Sequence, residues 1–239
     1  MTFDQDTQAC ARIVQQGDPL RFACCMAAPV EMRARLFPLY AFNVEVSRAP
    51  WVTGEAMIAE MRLQWWRDVL DEIAQGGRVR RHEVATPLAA ILSAEEAQAL
   101  DRLVAARRWD VYRDPFEDAA HFHDYLDATA ATLMVVAGRA PALRGTGYAG
   151  GVAAWLHAIP ALEAAGHIPL VNGSSHGIQA LAQDALGRLG PGGPAALPAA
   201  GARAVLRTAV KAPGRVAEGT LPPLDAPLAR VKARLLHRV

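Results

Sequence analysis

The chain is poor in aromatics and nearly devoid of lysine. Phenylalanine, tryptophan and tyrosine make up 6% of its 239 residues, and Lys211 and Lys232 are its only lysines. Its three cysteines, Cys10, Cys24 and Cys25, are odd in number and two are adjacent. Such a set makes no disulfide framework and fits a reducing cytoplasm. Long hydrophobic runs are also missing. The longest stretch free of Lys, Arg, Asp and Glu, residues 145–162, contains four glycines, His157 and Pro160. A membrane-spanning helix needs about 20 predominantly apolar residues, so this stretch predicts a buried core helix. The start of the chain, Met1 to Asp6, is acidic and has no basic segment before an apolar run, so no secretory signal is expected. With 21% charged residues and a net charge of +1, the composition excludes a disordered polyelectrolyte and a general nucleic-acid binder.

What the chain has in excess is alanine, 49 of 239 residues. Alanine is the best helix former and a poor strand residue, which predicts an all-α protein. The near-zero net charge hides an asymmetry, −5 over residues 1–200 and +6 over residues 201–239.

Local signals then mark the helices. Asp4 caps a first helix ending at Gly17, and Asp18-Pro19 opens a second. A third runs from Pro29 toward Ala49-Pro50, with Pro38 inside it. Met57, Ile58, Met61, Trp65, Val69 and Ile73 recur at three-to-four spacing in a fourth, which stops at Gly76-Gly77. Ser93-Ala-Glu-Glu is a capping box for a helix reaching Trp109 and Val111. Further helices are predicted at about 118–138, 150–165, 175–189, 195–211 and 226–238. The last is amphipathic and basic, alternating Leu228, Val231, Leu235 and Leu236 with Arg230, Lys232, Arg234 and Arg238. It suits an anionic membrane surface or an acidic partner, and equally packing by its leucines with the arginines solvated.

Few constellations carry chemistry. Glu117 and His121 share a helix face and could hold a metal, but acidic residues also gather at helix amino termini for the dipole. Asp68, Asp71 and Glu72 could hold magnesium or form a solvated face. There is no glycine-rich phosphate loop after a strand, no Gly-x-Ser-x-Gly and no His-Glu-x-x-His.

Asp18-Pro-Leu-Arg-Phe22, Leu39-Tyr-Ala-Phe-Asn-Val-Glu45 and Met61-Arg-Leu-Gln-Trp-Trp-Arg-Asp-Val-Leu-Asp-Glu-Ile73 together resemble the squalene/phytoene synthase family. Within it, the Ala-Phe-Asn-Val-Glu and Met-Arg-Leu-Gln-Trp-Trp runs look like the branch containing complex I assembly factor 6. The resemblance covers roughly residues 17–172 and continues through Ala105-Ala-Arg-Arg-Trp-Asp110. It implies a single-domain helical bundle of the isoprenoid synthase type around a central cavity, over residues 1–189. Residues 190–239 would be a basic helical extension packed on the same domain.

The resemblance also implies where to look for catalysis. The family's enzymes bind magnesium diphosphate through two aspartate-rich motifs. The first would place its aspartates at Ser47, Arg48 and Trp51, the second at Ala158 and Leu162, and none of these is acidic. Magnesium needs carboxylate oxygens, so no catalytic residues, no metal and no cofactor are expected. Residues that could line a cavity or meet a ligand are Tyr40, Asn43, Glu45, Arg48, Trp65 and Asp110. For Asp110 an ion pair with Arg107 or Arg108 is the competing explanation.

The function this implies is a non-catalytic accessory or assembly factor of the complex I type. It would sit in the cytoplasm, peripheral to an inner membrane, and meet subunits of a membrane complex and anionic lipid through its basic carboxyl terminus. Two alternatives remain. One is an active prenyl transferase of isoprenoid biosynthesis, using magnesium and carboxylates such as Glu45, Asp68, Asp71 and Asp110. The other is a protein that binds a prenyl lipid without turning it over.

Overall fold

The computed structural model describes residues 4–112, 114–190 and 192–225, and none of these residues lies in a strand. The predicted all-α class holds. The helices group into two units, Met1–Tyr112 and Arg113–Val239.

The first unit contains α1 (Gln5–Gly17), α2 (Pro19–Ala27), α3 (Val30–Arg48), α4 (Ala56–Ala74), α5 (Ala85–Ala89), α6 (Ala94–Ala106) and α7 (Trp109–Tyr112). The caps are those the sequence predicts. The Asp4 carboxylate accepts from the Thr7 amide at 2.7 Å, and Asp18 accepts from the Arg21 amide at 2.9 Å. Ser93 and Glu96 form the capping box. Helix α3 is the axis of this unit, with every side chain from Leu36 to Val44 buried. It packs against α1, α2, α4 and α5. Pro38 sits inside it and the helix continues unbroken. An interior proline costs about 3 kcal/mol. Each fully buried large side chain contributes roughly 1.5–3 kcal/mol, so Leu36, Leu39 and Phe42 together outweigh that cost.

Helix α6 ends at Ala106 instead of running on to Val111. The Arg108 and Asp110 amides bond three residues back, to Ala105 and Arg107, which tightens the chain and starts α7 afresh. Helix α5, which sequence spacing does not announce, is five residues long; the Val84 amide just before it donates to Nδ1 of His82 at 3.1 Å.

The second unit contains α8 (Ala119–Leu126), α9 (Thr132–Gly138), α10 (Arg144–Ala164), α11 (Ser175–Gly187), α12 (Ala202–Lys211) and α13 (Gly214–Ala217). The single helix predicted over 118–138 widens at Asp127–Ala131 into a π turn between α8 and α9. Two threonine hydroxyls bond to backbone carbonyls along this stretch, Thr129 to Tyr125 at 2.6 Å and Thr132 to Asp127 at 3.0 Å. Helix α10 is the predicted core helix, longer than expected and packed against α8 to α13. Its glycines permit close approach. A Cβ on Gly151 would lie 2.6 Å from Cβ of Ala130, and one on Gly147 would lie 2.8 Å from Cα of Ala131. Phe116, Phe122, Tyr125 and Trp155 meet edge to face beside it, and the Trp155 indole donates to the Pro169 carbonyl at 2.8 Å.

The helix predicted over 195–211 is divided into a 3-10 turn, Pro194–Ala199, and α12. Pro198 lacks the amide a longer α-helix would need there. Both pieces pack on α10, and α12 also packs on α11. The predicted basic helix at 226–238 lies outside the described residues.

Candidate functional site

The first unit gathers several of the residues singled out from sequence. Tyr40 and Asn43, one helical turn apart on α3, are both buried. The Arg21 guanidinium, carried in from α2, lies over the Tyr40 ring at 5.6 Å. Asp18, the cap of α2, also forms an ion pair with Arg21. Burial weakens the protonation of Arg21, but Asp18 and Tyr40 more than compensate, so its pKa lies above the ordinary arginine value. The charge of Arg107 acts in the opposite sense on Arg21. Arg107 pairs with the buried Asp110 at 3.1 Å. Burial pushes the Tyr40 phenol well above its usual pKa, so it stays a neutral hydroxyl at physiological pH.

The result is a compact array of two arginines, two aspartates and a tyrosine, in which each aspartate already faces a guanidinium. Sequence reasoning found Tyr40 and Asp110 and named Arg107 as a partner. It missed Arg21, whose signal lay in the Asp18-Pro-Leu-Arg-Phe22 run: a capping aspartate three residues before an arginine, on a short apolar helix.

The remaining candidates fall elsewhere. Glu45 is half-buried on α3. The Ser47 hydroxyl turns back to the Val44 carbonyl at 3.1 Å. Arg48 is exposed at the end of α3, and Trp51 stands 47% exposed in the following turn. Trp65 packs edge-on against Trp66 at 4.8 Å, against His82 at 4.9 Å and under Arg80 at 5.5 Å. Trp66 in turn meets Phe42 at 5.2 Å, so the tryptophan pair anchors α4 to α3. Ala158 and Leu162 are half-buried on α10 in the second unit. Glu163, one residue round from Leu162, points to solvent at the rim of a cavity of about 290 Å³ that includes Ile159, His167, Ile178 and Val216.

The donor set does not fit magnesium. Ser47, Arg48, Trp51, Ala158 and Leu162 offer no carboxylate, and magnesium demands several oxygen ligands in octahedral geometry. Among the described residues, no three His, Cys, Asp or Glu side chains converge in a way that could hold a metal. Asp68 and Asp71 lie on the exposed face of α4, where Gln64 and Gln75 donate to them at 2.8 and 2.7 Å. They border an open polar groove of about 620 Å³ with Arg67, Gln98 and Asp101, and the Arg67–Asp101 pair there is bidentate.

The family model for squalene/phytoene synthase matches residues 14–151, more than half of the sequence. The chain belongs to the squalene/phytoene synthase family. Its matched segment includes the whole Arg–Asp array. Among curated proteins, a Drosophila melanogaster protein described as "NADH dehydrogenase (ubiquinone) complex I, assembly factor 6 homolog" is 32% identical over 139 residues, covering 53% of this chain and 40% of that protein. The Bos taurus assembly factor 6 is 33% identical over 64 residues, 27% of this chain and 19% of that one. These matches therefore span less than half of each relative. Among solved structures, a dehydrosqualene synthase crystallised with a ligand superposes with a TM-score of 0.71, covering 98% of this chain and 97% of that one. At 12% identity that likeness is one of fold, and it makes this an all-α chain of the isoprenoid synthase type.

Proposed function

We propose that this family member has set aside prenyl transfer and acts as an accessory or assembly factor, with complex I components as its clients. The observation that carries the reading is the state of the carboxylates in the first unit. Where the family resemblance implies the first magnesium-binding aspartates stand Ser47, Arg48 and Trp51. Asp18, half-buried, and Asp110, buried, are held by Arg21 and Arg107. A departing diphosphate carries about three negative charges, and stabilising developing charge is usually the largest catalytic contribution. Two arginines already neutralised by aspartates supply little of it. The assembly-factor names of the relatives support the choice of client.

The test has two arms. The purified full chain is incubated with farnesyl and geranylgeranyl diphosphate, magnesium and NADPH, and pyrophosphate release is followed. The expected result is no metal-dependent release above background; turnover at an ordinary enzymatic rate would refute the reading. Deletion in the source cell is expected to lower assembled complex I, seen on native gels. Normal assembly together with tight binding of a prenyl lipid would make the chain a lipid carrier instead.

A further inference from the structure

Five large apolar side chains stand in the open within eleven residues: Trp51 and Val52 in the turn after α3, and Met57, Ile58 and Met61 on the first turns of α4. Met57 is 74% and Met61 66% accessible, so no wall of protein rises around either. The outward face of α4 then changes character. Beyond Met61 it carries Gln64, Asp68 and Asp71. A helix that is merely solvated is polar along its whole outer face, so the apolar end calls for a cover. Tyr112, 55% accessible, borders the patch with its hydroxyl bonded to Glu60, and Glu60 pairs with Arg108 at 2.9 Å. Arg48 and Arg62 are exposed on either side of the apolar group, and among the described residues neither forms an ion pair. Glu55 supplies the one opposing charge inside the stretch that no described arginine pairs with.

We infer that this edge docks the protein on an anionic lipid bilayer. Trp51, Val52, Met57, Ile58 and Met61 enter the boundary between headgroups and acyl chains, and Arg48 and Arg62 bind lipid phosphates. Tryptophan and aliphatic side chains beside arginine are the chemistry of interfacial attachment. Exposure and charge decide between occupants: a headgroup boundary takes up solvent-exposed apolar side chains such as Met57 and Met61, and its phosphates pair with the arginines beside them. No described helix is long and apolar enough to cross a membrane, so this attachment is peripheral. The inference goes beyond the accessory role and is tested separately from it, because vesicle binding requires no client.

The test uses the full chain and vesicles of phosphatidylcholine, with and without phosphatidylglycerol, read by co-sedimentation. Vesicles with brominated acyl chains report on Trp51 by fluorescence quenching. Binding to the anionic vesicles is expected. M57S/M61S should lower partitioning by about tenfold or more at an unchanged melting temperature. R48Q/R62Q should erase the preference for phosphatidylglycerol, and W51F should remove most of the quenching. A variant with Arg230, Lys232, Arg234 and Arg238 changed to glutamine should still bind. Absence of binding to both vesicle types, equal binding by M57S/M61S, or loss of binding in the carboxyl-terminal variant alone would overturn the proposal.

Discussion

Replacing Asp110 by asparagine keeps the side chain's shape and removes its charge, leaving Arg107 without the carboxylate it meets at 3.1 Å. Breaking a fully buried pair from one side costs about 3–5 kcal/mol. Here the Asp110 side chain is 5% accessible but that of Arg107 is 21%, so water reaches the guanidinium and reduces the loss. We expect D110N to cost about 2–3 kcal/mol. For a chain of this size each kcal/mol lowers the melting temperature by about 2–4 °C, so the transition should fall by about 4–12 °C. Urea unfolding followed by circular dichroism at 222 nm gives the same quantity directly. Arg107→Gln and the double variant complete a cycle, with an expected coupling of about 1–2 kcal/mol. A coupling below about 0.5 kcal/mol, the value for an exposed pair, would refute the view that Asp110 is held as the structural partner of Arg107.

Two further outcomes follow from the packing. Gly151→Ala should destabilise by about 1–3 kcal/mol, the usual cost of overpacking, although alanine gains about 1 kcal/mol in helix propensity. The added Cβ would lie 2.6 Å from that of Ala130, and a thermal melt that rises would refute the close approach of α10 to the π turn. Burial pushes the thiols of Cys10, Cys24 and Cys25 up to about 12, well above the ordinary cysteine range. They should resist Ellman's reagent at pH 8 in the folded protein and react fully in urea. Because the unfolded thiols ionise near 9 while the folded ones keep their protons to about 12, stability present below pH 9 should be lost progressively above it. The slope is about 1.4 kcal/mol per pH unit for each thiol, measurable by urea unfolding between pH 8 and 10.5.

Helix starts were plain in the sequence because they are local. Asp4, Asp18, Ser93 and Glu96 cap their own helices through bonds spanning three residues, and such short-range chemistry is written in adjacent letters. Interruptions were not. Nothing between Leu126 and Thr132 announces a π turn, against which α10 packs Gly147 and Gly151. Likewise, α6 ends at Ala106, and Asp110, three residues beyond its cap, is buried, a change of direction no local signal marks. For the candidate site, the pairing of Asp110 with Arg107 could be read from adjacent letters, since the two stand three residues apart. The association of Arg21 with Tyr40 could not, since it joins two helices across nineteen residues. The exposed edge at Trp51 to Met61 shows the limit of periodicity. Met57, Ile58 and Met61 share one apolar repeat with Trp65, Val69 and Ile73, yet the first three face outward, while Ala59, Leu63, Trp66, Val69, Leu70 and Ile73 form the buried side of α4.

The π turn at Asp127–Ala131 has a bearing on how this chain is compared with any other. A helix that takes in one extra residue turns everything after it by about 100°. Leu133, Val136 and Ala137, which stand at regular sequence spacing from Phe122, Tyr125 and Leu126, are therefore turned by that amount from where an unbroken helix would hold them. A relative with a regular helix here would align only through a one-residue gap in mid-helix. An alignment that forbids such gaps would shift α9 by one position.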